Sequence, residues 1–170
     1  MNKLIPFLFL LTFFTTFKVE NNQFVARQGQ ITFFSYTSLE NIEAKNNQVL
    51  SILDIDKKEI AISMLMRAFV FKKDLMYEHF NESYIESDMY PKASFIGKII
   101  DFDLSNKEAQ TKIIRGNLTI HGITKEIDIK TTIKNIDGNY TLTGDFNILV
   151  HAFQIKIPPI LSSNIAKTIS

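Results

Sequence analysis

The chain has 170 residues, of which 45% are hydrophobic, with 19 basic and 18 acidic side chains. A chain of this length buries a sizeable core and favours a single domain. The near-neutral charge, without a basic stripe or an acidic tail, argues against a nucleic-acid partner. Cysteine is absent, which excludes disulfides and thiolate metal ligands, so packing has to hold the fold.

The first 21 residues carry the pattern of an export signal. Lys3 precedes a mostly apolar run of 14 residues, from Leu4 to Phe17. This run is shorter than the roughly 20 residues of a membrane-spanning helix, but it suits the apolar region of a secretory signal. An uncleaved anchor and a buried strand are the alternatives. We predict a signal peptide at 1–21, a single domain at 22–170, and a periplasmic or secreted protein.

From residue 22 onward, apolar residues recur at every second position, which is the period of a half-buried β-strand. The runs at 30–36 and 49–53 are short. The run from Ile60 to Val70 is longer and places Met64 and Met66 on one face. The polar stretch 56–59 precedes this run and indicates a turn.

One segment, from Phe71 to Glu82, breaks the two-residue period. Asp74 can cap a helix here, and Met76 and Phe80 lie four residues apart on one helical face. A helix of about two turns is too short to be stable alone. We predict a helix over about 73–82 near one end of the strands, with Met76 and Phe80 plugging the core.

The alternation resumes after the helix and then changes its parity. Leu118 and Ile120 hold even positions, whereas Ile127 and Ile129 hold odd ones. Such a change indicates a turn or a bulge between two strands. His121-Gly122 lies at this point, and glycine permits the backbone conformation of a turn. We predict a hairpin corner there, with the histidine on the polar face at the strand end.

The last long run, from Tyr140 to Val150, has threonine, aspartate and asparagine on its second face. Asp137-Gly138 precedes the run and favours a hairpin, because both residue types tolerate positive φ. About seven or eight antiparallel strands joined by short turns predict a barrel or a sandwich. Three glycines interrupt the inward faces, and they either bend the strands or leave room inside a barrel: Gly97, Gly116 and Gly144.

The sequence carries no recognisable reaction centre. Its three histidines, His79, His121 and His151, are far apart, and no two have a local metal-ligand spacing. It has no glycine-rich phosphate loop and no Gly-x-Ser-x-Gly motif. We therefore predict no enzyme, no catalytic residue, no metal and no cofactor. What remains is apolar volume, since an eight-stranded barrel is filled by side chains or holds one small ligand.

Two stretches resemble the YceI-like family of bacterial exported proteins. They are LMYEHFNESYIESDMYPKASFIGKI at 75–99 and GNLTIHGITKEIDI at 116–129. The stretches 41–54 and 153–170 are similar to the same family, so the resemblance spans residues 24–169. Three motifs carry it in combination: His79-Phe80, Tyr90-Pro91-Lys92-Ala93 and Leu118–Lys125.

This resemblance implies an all-β, eight-stranded antiparallel lipocalin-like barrel whose lumen binds a long polyisoprenoid chain. It implies a non-enzymatic carrier of a polyisoprenoid or an isoprenoid quinone, acting in the periplasm or after secretion. Transient membrane contact is expected, and homodimerisation is left open. From strand parity we predict the lumen-lining residues: Met64, Met66, Phe95, Ile114, Leu118, Ile120, Leu142, Phe146 and Ile148.

Burial energetics favour a long ligand over a short one. Enclosing about 20 methylene groups at ~0.8 kcal/mol each gives ~16 kcal/mol, against an association cost of about 4–15 kcal/mol. Two other functions remain open. A fully packed barrel would be an envelope interaction module without a ligand. A lipid-acting hydrolase or isomerase would need a general acid or base, for which His79 or His121 with Glu78 is the candidate.

Overall fold

The structure is a computed structural model that describes residues 22–35, 41–156 and 168–169. The predicted signal segment 1–21 lies outside these ranges. Within them, no helix has the length and apolar character needed to cross a membrane. The strands are β1 (Gln23–Ser35), β2 (Ile42–Asp54), β3 (Glu59–Leu65), β4 (Val70–Phe71), β5 (Lys92–Ile99), β6 (Gln110–Ile120), β7 (Ile123–Ile136), β8 (Asn139–Asp145), β9 (Ile148–Leu149) and β10 (Thr168–Ile169).

Strands β1 to β8 form one antiparallel sheet that curls into a nearly closed barrel, as predicted. The neighbours run in the order β1-β2-β3-β5-β6-β7-β8, and β4 pairs with β2. Phe24 of β1 meets Tyr140 of β8, with ring centroids 4.9 Å apart, so side chains join the two edge strands. β10 pairs with β9 and lies beside β1. The seam of the barrel is therefore covered by short strands and side chains.

The helix lies near one end of the barrel and is close to its predicted extent. Helix α1 (Asp74–His79) continues into a π-helical turn, Phe80–Tyr84. Lys73 occupies the N-cap position, and Asp74 lies in the first turn. The prediction that Asp74 caps the helix is therefore wrong. A carboxylate in the first turn still interacts favourably with the helix dipole.

Four phenylalanine rings close this end of the barrel, and we call them the aromatic cap: Phe33, Phe69, Phe71 and Phe80. The Phe80 ring lies 5.5 Å from Phe33, 5.6 Å from Phe69 and 5.0 Å from Phe71, measured between centroids. Each aromatic pair at such a distance contributes about 0.5–1.5 kcal/mol in addition to the contribution from its buried area. The cap thus joins β1, β4 and the helical segment.

The other end of the barrel is packed with buried apolar side chains, and we call it the packed end. Its residues belong to one hydrophobic cluster and are each at most 5% exposed. Burying an aliphatic or aromatic side chain of this size contributes about 1.5–3 kcal/mol. The cluster at this end therefore stabilises the barrel, and its central members are Ile60, Ile99, Phe102, Ile114 and Ile133.

Two-residue turns connect the last three long strands and confirm both predicted hairpins. The turn residues are His121-Gly122 (φ 52° and 73°) and Asp137-Gly138 (φ 50° and 82°). Positive φ at both positions is the signature of a type I′ turn. Across the first turn, Ile114 lies opposite Ile129. Even positions of β6 therefore share a face with odd positions of β7, which explains the parity change.

Candidate functional site

An apolar cavity of about 260 Å³ lies between the aromatic cap and the packed end. Ligand pockets commonly measure about 300–1,000 Å³, so this cavity is close to the lower limit. Strands from both sides of the barrel seam contribute to its wall. The apolar side chains from the strands and the residues joining β8 to β9 are Ile31, Phe33, Met64, Ala93, Leu118, Ile120, Phe146 and Ile148.

A change in side-chain size along β5 ends the cavity. Ala93 and Phe95 are successive inward residues of this strand. Ala93 lines the cavity, and its methyl group leaves the space open. Phe95 is 3% exposed, and its ring is not among the described residues that line the cavity. The lumen is therefore open at the level of Ala93 and filled at the level of Phe95.

The predicted lumen-lining residues divide between these two levels. Six of them line the cavity: Met64, Met66, Leu118, Ile120, Phe146 and Ile148. Phe95 and Ile114 also point inward, but neither they nor the half-buried Leu142 are among the described residues that line the cavity. The structure thus brings six of the residues together around one space. Their contact with a ligand stays a prediction.

Met66 reaches the cavity by a route that the alternating pattern does not describe. β3 ends at Leu65, and Met66–Ala68 forms a 3₁₀ turn. The predicted continuous strand through Val70 is therefore wrong, because Val70 lies in β4 and is paired with Lys45 of β2. The turn nevertheless buries Met66, which is 5% exposed.

The two predicted plug residues have different positions. Phe80 lines the cavity and belongs to the aromatic cap. Met76 is half-buried on α1 and is not among the described residues that line the cavity. Only Phe80 is placed where it can close this space. Their plugging roles stay predictions.

Several lining residues could not be identified from the alternation of the later strands. Ile31 and Phe33 lie in β1. The short alternating run at 30–36 is the sequence feature that could have identified them. Phe69, Ile85 and Ile155 lie outside the strands. Phe69 has the parity opposite to Met64 and Met66 in the predicted run, and no periodic pattern marks Ile85 or Ile155, so only the folded chain shows that these three residues border the cavity.

The polar border of the cavity lies along the barrel seam. Gln30 and Thr32 of β1 and Asp145 of β8 are exposed and border the space. Asp145 is the one ionisable side chain among the described lining residues, and none of those residues is basic. In the nearby π-helical turn, burial raises the pKa of the Tyr84 phenol, which keeps this side chain neutral.

His121 lies in the β6–β7 turn beside the cavity, and its side chain is only 11% exposed. Its Nε2 atom lies 2.8 Å from Oε2 of Glu86, and its Nδ1 atom lies 3.2 Å from the carbonyl oxygen of Phe153. The Tyr90 ring packs on the imidazole, with centroids 4.3 Å apart. The hairpin corner is confirmed, but the prediction of a polar, outward-facing His121 is wrong. We call these four residues the His121 junction.

The His121 junction joins three segments that each supply part of the cavity wall. The neighbouring lining residues are Ile120 beside the turn, Ile85 beside Glu86, and Ile155 two residues after Phe153. Nε2 faces the Glu86 carboxylate and Nδ1 faces the Phe153 carbonyl oxygen, so both imidazole nitrogens are occupied within the junction. This arrangement leaves neither nitrogen directed at a ligand. The junction therefore has the geometry of a structural support.

The acid–base alternative predicted from the sequence paired His79 or His121 with Glu78. The carboxylate at His121 is instead that of Glu86, and His79 and Glu78 are exposed on α1. Among the described residues, no three histidine, aspartate or glutamate side chains come together as a metal-binding group.

Known proteins with the same fold include a family and two solved structures. A model of the YceI-like domain matches residues 14–170. A polyisoprenoid binding domain from Saccharophagus degradans implicated in plant cell wall breakdown has a TM-score of 0.73 at 12% identity, covering 88% of this chain and 94% of that one. BcnA from Burkholderia cenocepacia has a TM-score of 0.68 at 15% identity, with 87% and 91% covered. No curated protein matches the sequence. At these identities the structural likeness shows a shared fold.

Proposed function

Because the chain belongs to the YceI-like family, we propose that it is a non-enzymatic binder or carrier of a long apolar lipid, a polyisoprenoid or an isoprenoid quinone. The observation that carries the proposal is the apolar cavity between the aromatic cap and the packed end. The polyisoprenoid binding domain of the same fold supports this ligand class. A ligand-free interaction module would instead have a filled interior.

The size of the cavity limits how much of a chain it encloses. A volume of about 260 Å³ is close to the lower limit for ligand pockets, so the cavity encloses only part of a long isoprenoid chain. Each methylene group that it buries contributes about 0.8 kcal/mol, against an association cost of about 4–15 kcal/mol. Tight binding therefore requires burial of more of the chain than this space encloses.

The border of the cavity favours an uncharged head group. A carboxylate or phosphate there would find no basic partner among the described lining residues and would lie near Asp145. Unpaired charges in apolar surroundings are strongly unfavourable, and like charges repel. A prenyl alcohol or a quinone should therefore bind better than a prenyl phosphate or a fatty acid of equal chain length.

Native mass spectrometry after detergent-free purification tests the proposal. We expect the protein to retain a lipid, and the delipidated protein to take up an added isoprenoid quinone or prenyl alcohol. The matched comparison is geranylgeraniol against geranylgeranyl phosphate, with the alcohol bound more tightly. Absence of a co-purifying lipid, together with no uptake of either quinone or alcohol, would contradict lipid binding.

We also propose that the protein is exported and acts in the periplasm or outside the cell. The apolar run from Leu4 to Phe17 after a basic residue supports export. Fractionation of cells followed by N-terminal sequencing of the mature protein checks this. A protein that stays in the cytoplasm with residues 1–21 intact would contradict it.

A further inference from the structure

We propose that Phe95 is the floor of the cavity and determines how long an apolar chain the barrel encloses. This inference rests on the proposed lipid binding and assigns the residue that sets its chain-length specificity. It starts from the finding that the lumen is open on one side of this ring and filled on the other.

The position of Phe95 in the sheet places it at the boundary. It lies directly opposite Leu118 in the β5–β6 ladder and opposite Ile62 in the β3–β5 ladder. Leu118 lines the cavity, as does Ala93, the preceding inward residue of β5. Phe95 is the first inward residue of β5 that is not among the lining residues, and its ring is buried.

The level beyond Phe95 is formed by bare backbone. Gly97 and Gly116 face each other across β5 and β6. A Cβ atom on Gly97 would lie 2.7 Å from the Phe95 ring and 2.9 Å from Cγ2 of Ile114. A Cβ atom on Gly116 would lie 2.3 Å from the carbonyl oxygen of Ile96. The Phe95 ring therefore occupies the space that a side chain at Gly97 would have filled, whereas Gly116 allows the β5 backbone to approach closely.

The order of residues along the barrel then explains the function of the ring. Ala93 and Leu118 border the cavity, the Phe95 ring follows, and Ile114 of the packed end meets that ring over Gly97. Because Gly97 contributes no side chain, removal of the ring would leave a void over this glycine that is continuous with the cavity. A chain that ends at Phe95 in the wild type would then extend further.

The test is a chain-length profile of binding affinity. Geraniol, farnesol and geranylgeraniol are titrated into the delipidated full-length protein by displacement of a fluorescent apolar probe. In the wild type we expect the affinity to level off within this series. In Phe95→Ala we expect the longest alcohol to bind at least about tenfold more tightly than in the wild type, because each additional buried methylene strengthens binding several-fold. Phe95→Leu should lie between the two.

Two further variants make the chain-length profile decisive. Phe102→Ala makes the same chemical change at the packed end and should keep the wild-type profile. Ala93→Leu adds a larger side chain to the cavity wall above Phe95 and creates no void, so the affinity of this variant should level off at a shorter alcohol. If Phe95→Ala does not fold, Ala93→Leu becomes the decisive variant. Profiles of Phe95→Ala and Ala93→Leu that match the wild type would overturn the inference while leaving lipid binding intact. A wild type that binds none of the alcohols would overturn the proposed function and this inference together.

Discussion

At the scale of single residues, His121 shows how a side chain that resembles a catalytic group serves as a support. Its two nitrogens reach Glu86 and Phe153, which are 35 and 32 residues away in the chain. Hydrogen bonds that involve a charged group contribute about 1.5–3 kcal/mol when well formed. Glu86 is partly exposed, so solvent weakens its share of this contribution.

We expect His121→Ala to lower the free energy of unfolding by about 1–3 kcal/mol, because polar atoms of two segments lose their hydrogen-bond partner. Urea denaturation monitored by circular dichroism measures this change. His79→Ala and His151→Ala are matched controls, since both histidines are exposed, and each should change stability by less than about 0.5 kcal/mol. An effect at His121 no larger than at these two sites would contradict the supporting role.

The two hairpin glycines offer a second comparison between single residues. Gly122 and Gly138 have similar positive φ values, 73° and 82°. A Cβ atom on Gly122 would lie 2.8 Å from the Tyr90 ring, whereas nothing lies within 4 Å of one on Gly138. The left-handed conformation costs a non-glycine residue about 1–2 kcal/mol at either site.

We therefore expect Gly122→Ala to be more destabilising than Gly138→Ala by at least about 1 kcal/mol, because Tyr90 is held against His121 and has to move. The midpoints of thermal or urea unfolding for the two variants measure this difference directly. Equal destabilisation would mean that the Tyr90 contact adds nothing to the cost of the left-handed backbone.

At the scale of elements, the short helix matters through the one ring that it presents to the barrel. Phe80 contacts the other three rings of the aromatic cap and lines the cavity. Met76, on the same helical segment, is half-buried and lies away from the described lining. The pattern of residues four apart predicts a shared face, but it does not tell which of the two residues reaches the lumen.

We expect Phe80→Ala to destabilise the protein by about 3 kcal/mol, the lower part of the range for buried phenylalanine, and to speed the release of bound lipid several-fold. Stopped-flow transfer of a fluorescent prenyl analogue to vesicles measures the release rate. Met76→Ala is the matched control on the same segment and should leave that rate unchanged. Faster release from the Met76 variant than from the Phe80 variant would reverse the assignment of the plug.

At the scale of the whole molecule, the barrel combines a solid half that stabilises it with an open half that can receive a ligand. Phe146 lies in the wall of the open half, at the seam. Ile96 is also apolar but points outward from β5 and is 65% exposed. The two positions separate the effect of a charge inside the cavity from that of a charge on the barrel surface.

We expect Phe146→Asp to weaken lipid uptake by more than about tenfold, because a carboxylate in an apolar wall has to keep its water. Ile96→Asp should bind like the wild type. Native mass spectrometry gives the lipid-bound fraction, and circular dichroism confirms that both variants are folded. Unchanged uptake by a folded Phe146 variant would show that this wall does not contact the ligand.

Much of the fold could be predicted because its signals are local. A two-residue period defines the inward face of each strand, and Asp137-Gly138 defines a turn by its backbone preferences. The parity change around His121-Gly122 correctly indicated a hairpin, since a two-residue turn pairs even positions with odd ones. The Asp74 cap was wrong, because the helix begins at Asp74 itself and Lys73 takes the N-cap position.

The sequence by itself determined most of the long strands, the two hairpins and the inward faces of the regular strands, because each depends on neighbours a few residues apart. Only the tertiary structure decided which inward residues surround space and which fill it. That distinction depends on the summed volumes of side chains from different strands at one level, such as Phe95 beside Gly97 and Gly116. The supporting role of His121 could not be predicted for the same reason, because its partners Glu86 and Phe153 come within reach only when the barrel closes.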